Sequence, residues 1–579
     1  MSNLISSELK WVLAPSADES EVGKLQKDIQ NLHPVVAQLL VQRGLFSFDL
    51  VRDFFTSDLK TIDSYGELKD CEKASNRLLE AIQNKEKILI YGDYDVDGSS
   101  SVSMLFLYLK SIGADVSYYI PDRYAEGYGV SSKGVDFALS EKVDLLITVD
   151  CGINAVRELD RASLGGIDVV ICDHHLPGKA LPDVFAILNP QQADCYFEGK
   201  ELCGCGVALI LLKSLSRKLN QPDKWKDYLD LAAIATCCDI VPLTGINRLI
   251  VSAGLEKINT DRSVGIKALL KTAGYDGSLT VSDVVFKIGP RINAAGRLKH
   301  ARLAVHLLTA ENMETALEFA SEIEALNLKR RSMDKEVTES AIAQMHEADP
   351  DLIRKATVVH SADWHKGIIG IVASRLIEKC YRPTIVLTEV DGMLTGSARS
   401  ISGIQLYDAL ATCSEHLEKF GGHSAAAGLS LKAEALDDFK AAFEAAIAEH
   451  IPGDKREPEL NIDLEVDFSD WYNDKFQLFF GQLNRCRPFG PSNMPPIFTT
   501  TDCKASFPKV VGKDHLKFDV FQEHDPQRKL PVIAFRMAHL FDDLASGKPF
   551  KLAYSIEEQV WRGKSSIQLE AKGLQISNL

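Results

Sequence analysis

Long apolar runs are missing from this chain of 579 residues. The longest uninterrupted stretches, such as Val207 to Leu212, fall far short of the roughly 20 apolar residues that cross a bilayer, which excludes a membrane-spanning helix. Targeting features are missing as well. Met1 to Pro15 mixes Glu8 and Lys10 with short apolar stretches and has no basic head, apolar core or small-residue cleavage site, so a cytoplasmic protein is expected. Cysteine is sparse: 12 residues, with Cys151, Cys172, Cys237 and Cys238 in apolar contexts that suit reduced core thiols. Cys203-Gly204-Cys205 is a close pair, but without a second Cys/His pair at zinc spacing it does not make a zinc site. Internal repeats and low-complexity tracts are absent too. Positive charge is in deficit, with 65 Lys and Arg against 81 Asp and Glu and a net charge of −16. Attraction to a polyanion cannot come from the chain as a whole. Any nucleic-acid role rests on a local basic surface or on bound metal cations.

What is present is ordinary globular composition, 45% hydrophobic and 25% charged, which excludes a disordered chain. The length allows about three or four domains. Short β-rich runs that end in polar clusters and lead into helices recur from about Lys87 to Pro242, the pattern of a doubly wound parallel α/β domain. The expected organisation is a helical region over 1–70, this parallel-sheet domain over 71–310 and a connecting helix over 311–350. A smaller α/β domain over 351–452 and a β-rich, barrel-like domain over 453–579 follow.

Asp93, Asp95 and Asp97 alternate at the exit of the apolar run Lys87 to Tyr91, just before a helix expected from Ser99 to Gly113. At roughly 4 Å each like-charge pair costs about 1 kcal/mol in water and several times more at reduced dielectric, so a bound cation is the natural neutraliser. An acidic turn capping the helix is the competing explanation, and it suits one aspartate better than three. Asp150 ends a second strand, Asp173-His174-His175 a third, and Asp239 closes a fourth segment, expected to be helical, from Leu229 to Ile240. In an open parallel sheet ligands gather outside such carboxyl ends. Oxygen-rich ligation with one or two imidazoles suits Mn²⁺ or Mg²⁺, and two such ions would make a phosphoryl-transfer site.

These segments resemble the DHH phosphoesterase superfamily: Gly92-Asp93-Tyr94-Asp95-Val96-Asp97-Gly98, Asp150 after a Thr-Val strand, and Asp173-His174-His175. Further ordered segments are similar to the RecJ family of single-stranded-DNA exonucleases along nearly the whole chain. They are Pro121-Asp122-Arg123 with Gly127-Tyr128-Gly129, Cys203 to Ala208, Asp239 to Leu243, Gly289 to Arg297, Trp364 to Arg375 and Phe420 to Leu431. Gly396-Ser397-Ala398-Arg399 departs from the family pattern, which favours a second glycine at the Ala398 position.

The resemblance implies a DHH domain, a DHHA1-type second domain and a C-terminal domain like an OB fold. It implies hydrolysis of single-stranded DNA from the 5′ end to mononucleotides, in recombination and repair, including mismatch repair. Asp93, Asp95, Asp97, Asp150, His174 and Asp239 would hold two Mn²⁺ or Mg²⁺ ions, with Asp97 and Asp150 also catalytic and Asp150 bridging. His175 would sit beside the scissile phosphate to orient it or donate a proton, or would ligate metal. Arg123 would bind substrate, Arg291, Asn293 and Arg297 would contact DNA or brace the metal loop, and Ser397, Arg399 and His423 would bind phosphate near the 5′ end. Single-strand-binding protein and a helicase are the implied partners. The alternatives are a DHH phosphodiesterase of short oligonucleotides or cyclic dinucleotides, and a non-catalytic DNA-binding scaffold. The large C-terminal block disfavours the first, and the full set of presumed ligands disfavours the second.

Overall fold

A computed structural model describes residues 9–450, 457–561 and 564–576, so the opening eight residues of the expected helical region lie outside it. The chain divides into two units. One, Thr56–Glu336 with Pro488–Met494, carries the parallel sheet; the other comprises Met1–Phe55, Val337–Arg487 and Pro495–Leu579.

In the parallel-sheet unit five strands run in the order Val116–Tyr119, Ile88–Gly92, Leu145–Val149, Asp168–Cys172, Ala186–Leu188, every neighbouring pair parallel. The three central strands are buried almost throughout, because successive side chains alternate between two covered faces. Leu89, Tyr91, Leu146 and Ile171 pack with Val135, Ala138, Leu159 and Ala162 on one side. Ile88, Ile90, Ile147 and Val170 pack with Leu78, Val102, Leu105 and Leu211 on the other. The chain leaves Ile88–Gly92, adds a strand on one side of it, and then returns to add Leu145–Val149 on the other. The direction of strand addition therefore reverses between these two strands, and at such a switch point the following loops diverge and leave a crevice.

Three helix boundaries bear on the crevice. The helix expected from Ser99 begins at Val96, because Asp95 caps it by accepting the Gly98 N–H at 3.1 Å. Asp97 therefore stands in the first helical turn rather than in the loop. Asp239 follows the helix Leu229–Cys238 as its C-cap. The connecting helix is one unbroken element, Met313–Ala348, of 36 residues.

Among the described residues the other unit holds two sheets beyond the small parallel pair Lys10–Leu13 with Glu459–Ile462. The five-stranded sheet runs Lys419–Gly422, Ala426–Leu431, Met393–Arg399, Thr384–Val390, Thr357–His360 and is antiparallel except at its last pair. The second closes into a five-stranded barrel of Phe498–Val511, His515–Gln522, Asp525–Ala534, Lys564–Ile576 and Phe550–Trp561, the last strand pairing back onto the first. Alternation along His515–Gln522 puts Leu516, Phe518 and Val520 inside the barrel.

Arg382 fastens the end of the long helix to the five-stranded sheet. Its guanidinium donates to Asp349 Oδ2 at 2.6 Å, Thr357 Oγ1 at 2.6 Å and the Arg354 carbonyl at 2.8 Å, and the pair is 6% and 4% exposed. Removing one partner strands a buried charge. Asp349→Ala is expected to lower stability by about 3–5 kcal/mol in urea unfolding, and a loss below about 1 kcal/mol, the scale of an exposed pair, would contradict this reading.

Candidate metal centre

The acidic residues at the strand exits converge. Asp93, Asp95 and Asp150 form one group, Asp97, His174 and Asp239 a second, and Asp150, His174 and His175 a third, each with donor atoms within 4.8 Å of one another. Asp93, Asp97 and Asp150 are only 1–3% exposed. His174 Nε2 lies 3.3 Å from Asp150, 3.6 Å from Asp239 and 4.0 Å from Asp97, yet it has no hydrogen-bond partner. Both carboxylate oxygens of Asp93 and one of Asp239 are likewise buried and unsatisfied. Orphaned oxygens and an imidazole nitrogen facing a common space are what a cation-binding site presents.

Burial, reinforced by the neighbouring acids, pushes the carboxyls of Asp93 and Asp150 well above the usual range. Burial also raises Asp97, although His174 and two backbone N–H groups pull it back. Burial lowers the imidazole of His174 and so favours the neutral form that ligates metal.

The surroundings explain how such a cluster is built. Asp97 accepts the N–H of Gly204 at 2.6 Å and of Cys205 at 2.8 Å, at the start of the helix Gly204–Lys218. The Cys203-Gly204-Cys205 motif is thus a helix N-terminus that receives an aspartate, and its thiols are buried and unpaired by disulfide. Asp150 adopts the left-handed conformation, φ 57°, and a Cβ on Gly204 would come within 2.7 Å of its Cα. Close approach at Gly204 and a strained Asp150 belong together.

The segment Gly289 to Arg297 packs against two of the acidic loops at once. Gly289 and Gly296, seven residues apart, share one face of the helix Gly289–Leu298. A Cβ on Gly289 would meet Cys238 Sγ at 2.7 Å, beside Asp239, and one on Gly296 would meet the Tyr94 carbonyl at 2.7 Å, between Asp93 and Asp95. Arg291 turns to the long helix and binds Glu324 at 2.5 and 3.1 Å, while Asn293 is half-buried on the same helix as Arg291. Arg123 lies over the Tyr94 ring, 4.7 Å from its centroid.

Two residues that sequence reasoning did not assign emerge beside His175. Asp173 stands outside the three clusters. It accepts the Ile153 N–H at 2.9 Å, the His174 N–H at 2.7 Å and the His175 ring at 2.7 Å. Burial opposes its ionisation, but these bonds outweigh that and hold it below the usual carboxylate range. Burial also works against a charged His175, and Asp173 overcomes it and raises the imidazole. Tyr128 meets the other edge of the same ring, its hydroxyl 2.8 Å from His175 Nε2. Its sequence signal is its place in the Gly127-Tyr128-Gly129 segment, which assigns it no role.

Family models match three segments: the DHH family N-terminal domain over residues 87–236, the DHHA1 domain over 354–449 and the RecJ OB domain over 462–573. The single-stranded-DNA-specific exonuclease RecJ of Bacillus subtilis is 36% identical, across 99% of this chain and 72% of that protein. The chain belongs to the RecJ family. RecJ of Escherichia coli is 32% identical across 93% of this chain and 95% of its own length. The crystal structure of Thermus thermophilus RecJ in complex with Mn²⁺ superposes with a TM-score of 0.84 at 29% identity, covering 99% of this chain and 81% of that one.

In the DHHA1 segment of this RecJ-family chain, Ser397 and Arg399 project from one face of Met393–Arg399 and are bonded to each other at 2.9 Å. A Cβ on Gly370, in the first turn of the helix Ile369–Cys380, would lie 2.9 Å from both side chains, so Gly370 admits them to that helix terminus. Ala398 points the opposite way into the core, where its methyl group leaves the Ser397 and Arg399 face untouched. His423 is exposed in the hairpin turn after Gly422, whose φ is 147° and where a Cβ would come within 2.4 Å of the Ala426 carbonyl, so glycine is required. Among the described residues no helix is long and apolar enough to cross a membrane.

Two expectations follow. Gly204→Ala must shift Asp150 and is expected to weaken Mn²⁺ affinity about tenfold or more while the far-ultraviolet circular dichroism is retained; unchanged affinity would sink the close-approach argument. Burial, then Asp97 and Asp95, push Asp239 up to about 9. A carboxyl raised in the folded state stabilises fully below the unfolded value, roughly 4, and loses that contribution as pH climbs through about 9. Metal-free protein is therefore expected to melt lower as pH rises from about 6 to about 9, with Mn²⁺ removing the trend; a metal-free melting temperature that climbs over this interval would contradict it.

Proposed function

We infer that this chain is a metal-dependent exonuclease that hydrolyses single-stranded DNA from the 5′ end to mononucleotides, in recombination and repair. The observation that carries this reading is the set of buried, unsatisfied acidic oxygens and an unpartnered imidazole at the switch point of the parallel sheet. Asp93, Asp95, Asp97, Asp150, His174 and Asp239 would hold Mn²⁺ or Mg²⁺, with Asp150 and His174 each belonging to two of the three groups. Bound there, two divalent cations supply charge neutralisation at the phosphate oxygens and water activation.

The chain's own residues do the rest. Asp97, fixed by the Gly204 and Cys205 N–H groups, keeps one group of donors in register with the other. His175, held through Nδ1 by Asp173, orients the scissile phosphate or hands a proton to the leaving oxygen. Arg123 and Asn293 serve the DNA backbone, and Arg291 braces the metal loops through Glu324. Ser397, Arg399 and His423 bind phosphate near the 5′ end, with the Arg399 fork and the adjacent helix terminus supplying donors. The barrel grips single strands by stacking and backbone charge. Single-strand-binding protein and a helicase are its partners, and it works in the cytoplasm.

The test incubates purified protein and Mn²⁺ with 3′-labelled single-stranded, duplex and dinucleotide substrates, beside Asp97→Ala. Shortening of the long single strand alone is expected, with at least a hundredfold loss in Asp97→Ala. Rapid dinucleotide turnover with long strands untouched would overturn the substrate assignment, and full activity in Asp97→Ala would overturn the metal assignment.

A further inference from the structure

We propose that Tyr128 is a positioning residue whose phenolic hydroxyl holds the imidazole of His175 in place until substrate takes its Nε2, completing an Asp173–His175–Tyr128 chain in the substrate-free protein. The proposal rests on the nuclease reading for its purpose, but its geometry is independent of it.

Asp173 is held as a carboxylate by three backbone N–H groups, those of Ile153, His174 and His175, and by the His175 ring, and a carboxylate only accepts. The 2.7 Å contact therefore places a proton on His175 Nδ1, and in the neutral ring it leaves the Nε2 lone pair pointing away from Asp173. The Tyr128 hydroxyl meets that nitrogen at 2.8 Å. A hydroxyl both donates and accepts. It donates to Nε2 when the ring is neutral and accepts from Nε2–H when the ring carries a second proton, so the contact survives a proton arriving or leaving.

The loop is shaped to deliver this hydroxyl. Gly127 and Gly129 flank the tyrosine at φ 89° and 82°, and neither has any atom within 4 Å of a notional Cβ. Both glycines are therefore there for backbone conformation, not for space. Tyr128 as a residue is 57% exposed. A large aromatic so exposed is not part of the core; it is held by the edge of Tyr94, 6.2 Å away at 82°, and by its hydroxyl, which also reaches the Asp150 carbonyl at 3.4 Å. One residue thus touches the backbone of the shared aspartate and the ring beside it.

Tyr128→Phe retains the ring and removes the hydroxyl. In metal-free protein with ¹⁵N-labelled histidine, the His175 ring signals, assigned by their loss in His175→Asn, are expected to move in Tyr128→Phe while those of the other 13 histidines stay in place. In the Mn²⁺-loaded enzyme kcat on single-stranded DNA is expected to fall about tenfold with KM and Mn²⁺ affinity unchanged. His175 signals identical to those of the parent, or a rise in KM with kcat intact, would overturn the proposal. If the protein proves to cleave no DNA, the metal-free spectra still decide whether the hydroxyl holds the ring.

Discussion

Like charge held together out of water is the constraint on which the parallel-sheet unit turns. Several aspartates and one imidazole share a space where each pair at roughly 4 Å repels by several kcal/mol at reduced dielectric. Folding tolerates this because two kinds of support surround the acids. Backbone N–H groups take the outer oxygens, as Gly204 and Cys205 do for Asp97 and Gly98 does for Asp95. Glycines let neighbouring segments close in, as at Gly204, Gly289 and Gly296. What remains unsatisfied, on Asp93, His174 and Asp239, is the inner shell that a cation would complete.

The same constraint accounts for where the acids stand. A parallel sheet whose strand order reverses leaves a crevice between two strands, and the exits of those two strands carry Asp93, Asp95 and Asp150. Helix ends bring the remainder: Asp97 from a first turn, Asp239 from a last. Asp239 sits where the helix dipole disfavours a carboxylate, which leaves it poised for a cation rather than for water. The net charge of −16 thereby acquires a local meaning, since divalent ions would reverse the sign of the very surface a polyanion must approach.

Much of this is visible in the amino-acid order because the two signals involved are local. Apolar runs buried on both faces end at an aspartate, and the eye needs nothing from elsewhere in the chain to find Asp93, Asp150 or Asp173. Asp95 shows that the two readings of the acidic turn were never exclusive, since it caps the helix and joins a metal group together. What stayed hidden depends on distant approach. Cys203-Gly204-Cys205 looks like a thiol pair until Asp97, more than a hundred residues earlier, arrives at its N–H groups. Tyr128 carries no charge to attract notice, and that Asp173 holds the His175 ring while His174 Nε2 faces Asp150 and Asp239 depends on how the two imidazoles are turned. Barrel closure, likewise, is set by the pairing of Phe498–Val511 with Phe550–Trp561 and not by either strand alone.

Titration of Mn²⁺ into metal-free protein by calorimetry tests the central claim most directly. The account predicts two ions per chain, with protons released on binding near neutral pH as raised carboxyls give up theirs, and loss of that stoichiometry in Asp150→Asn. Binding of no ion, or binding that persists unchanged in Asp150→Asn, would contradict it.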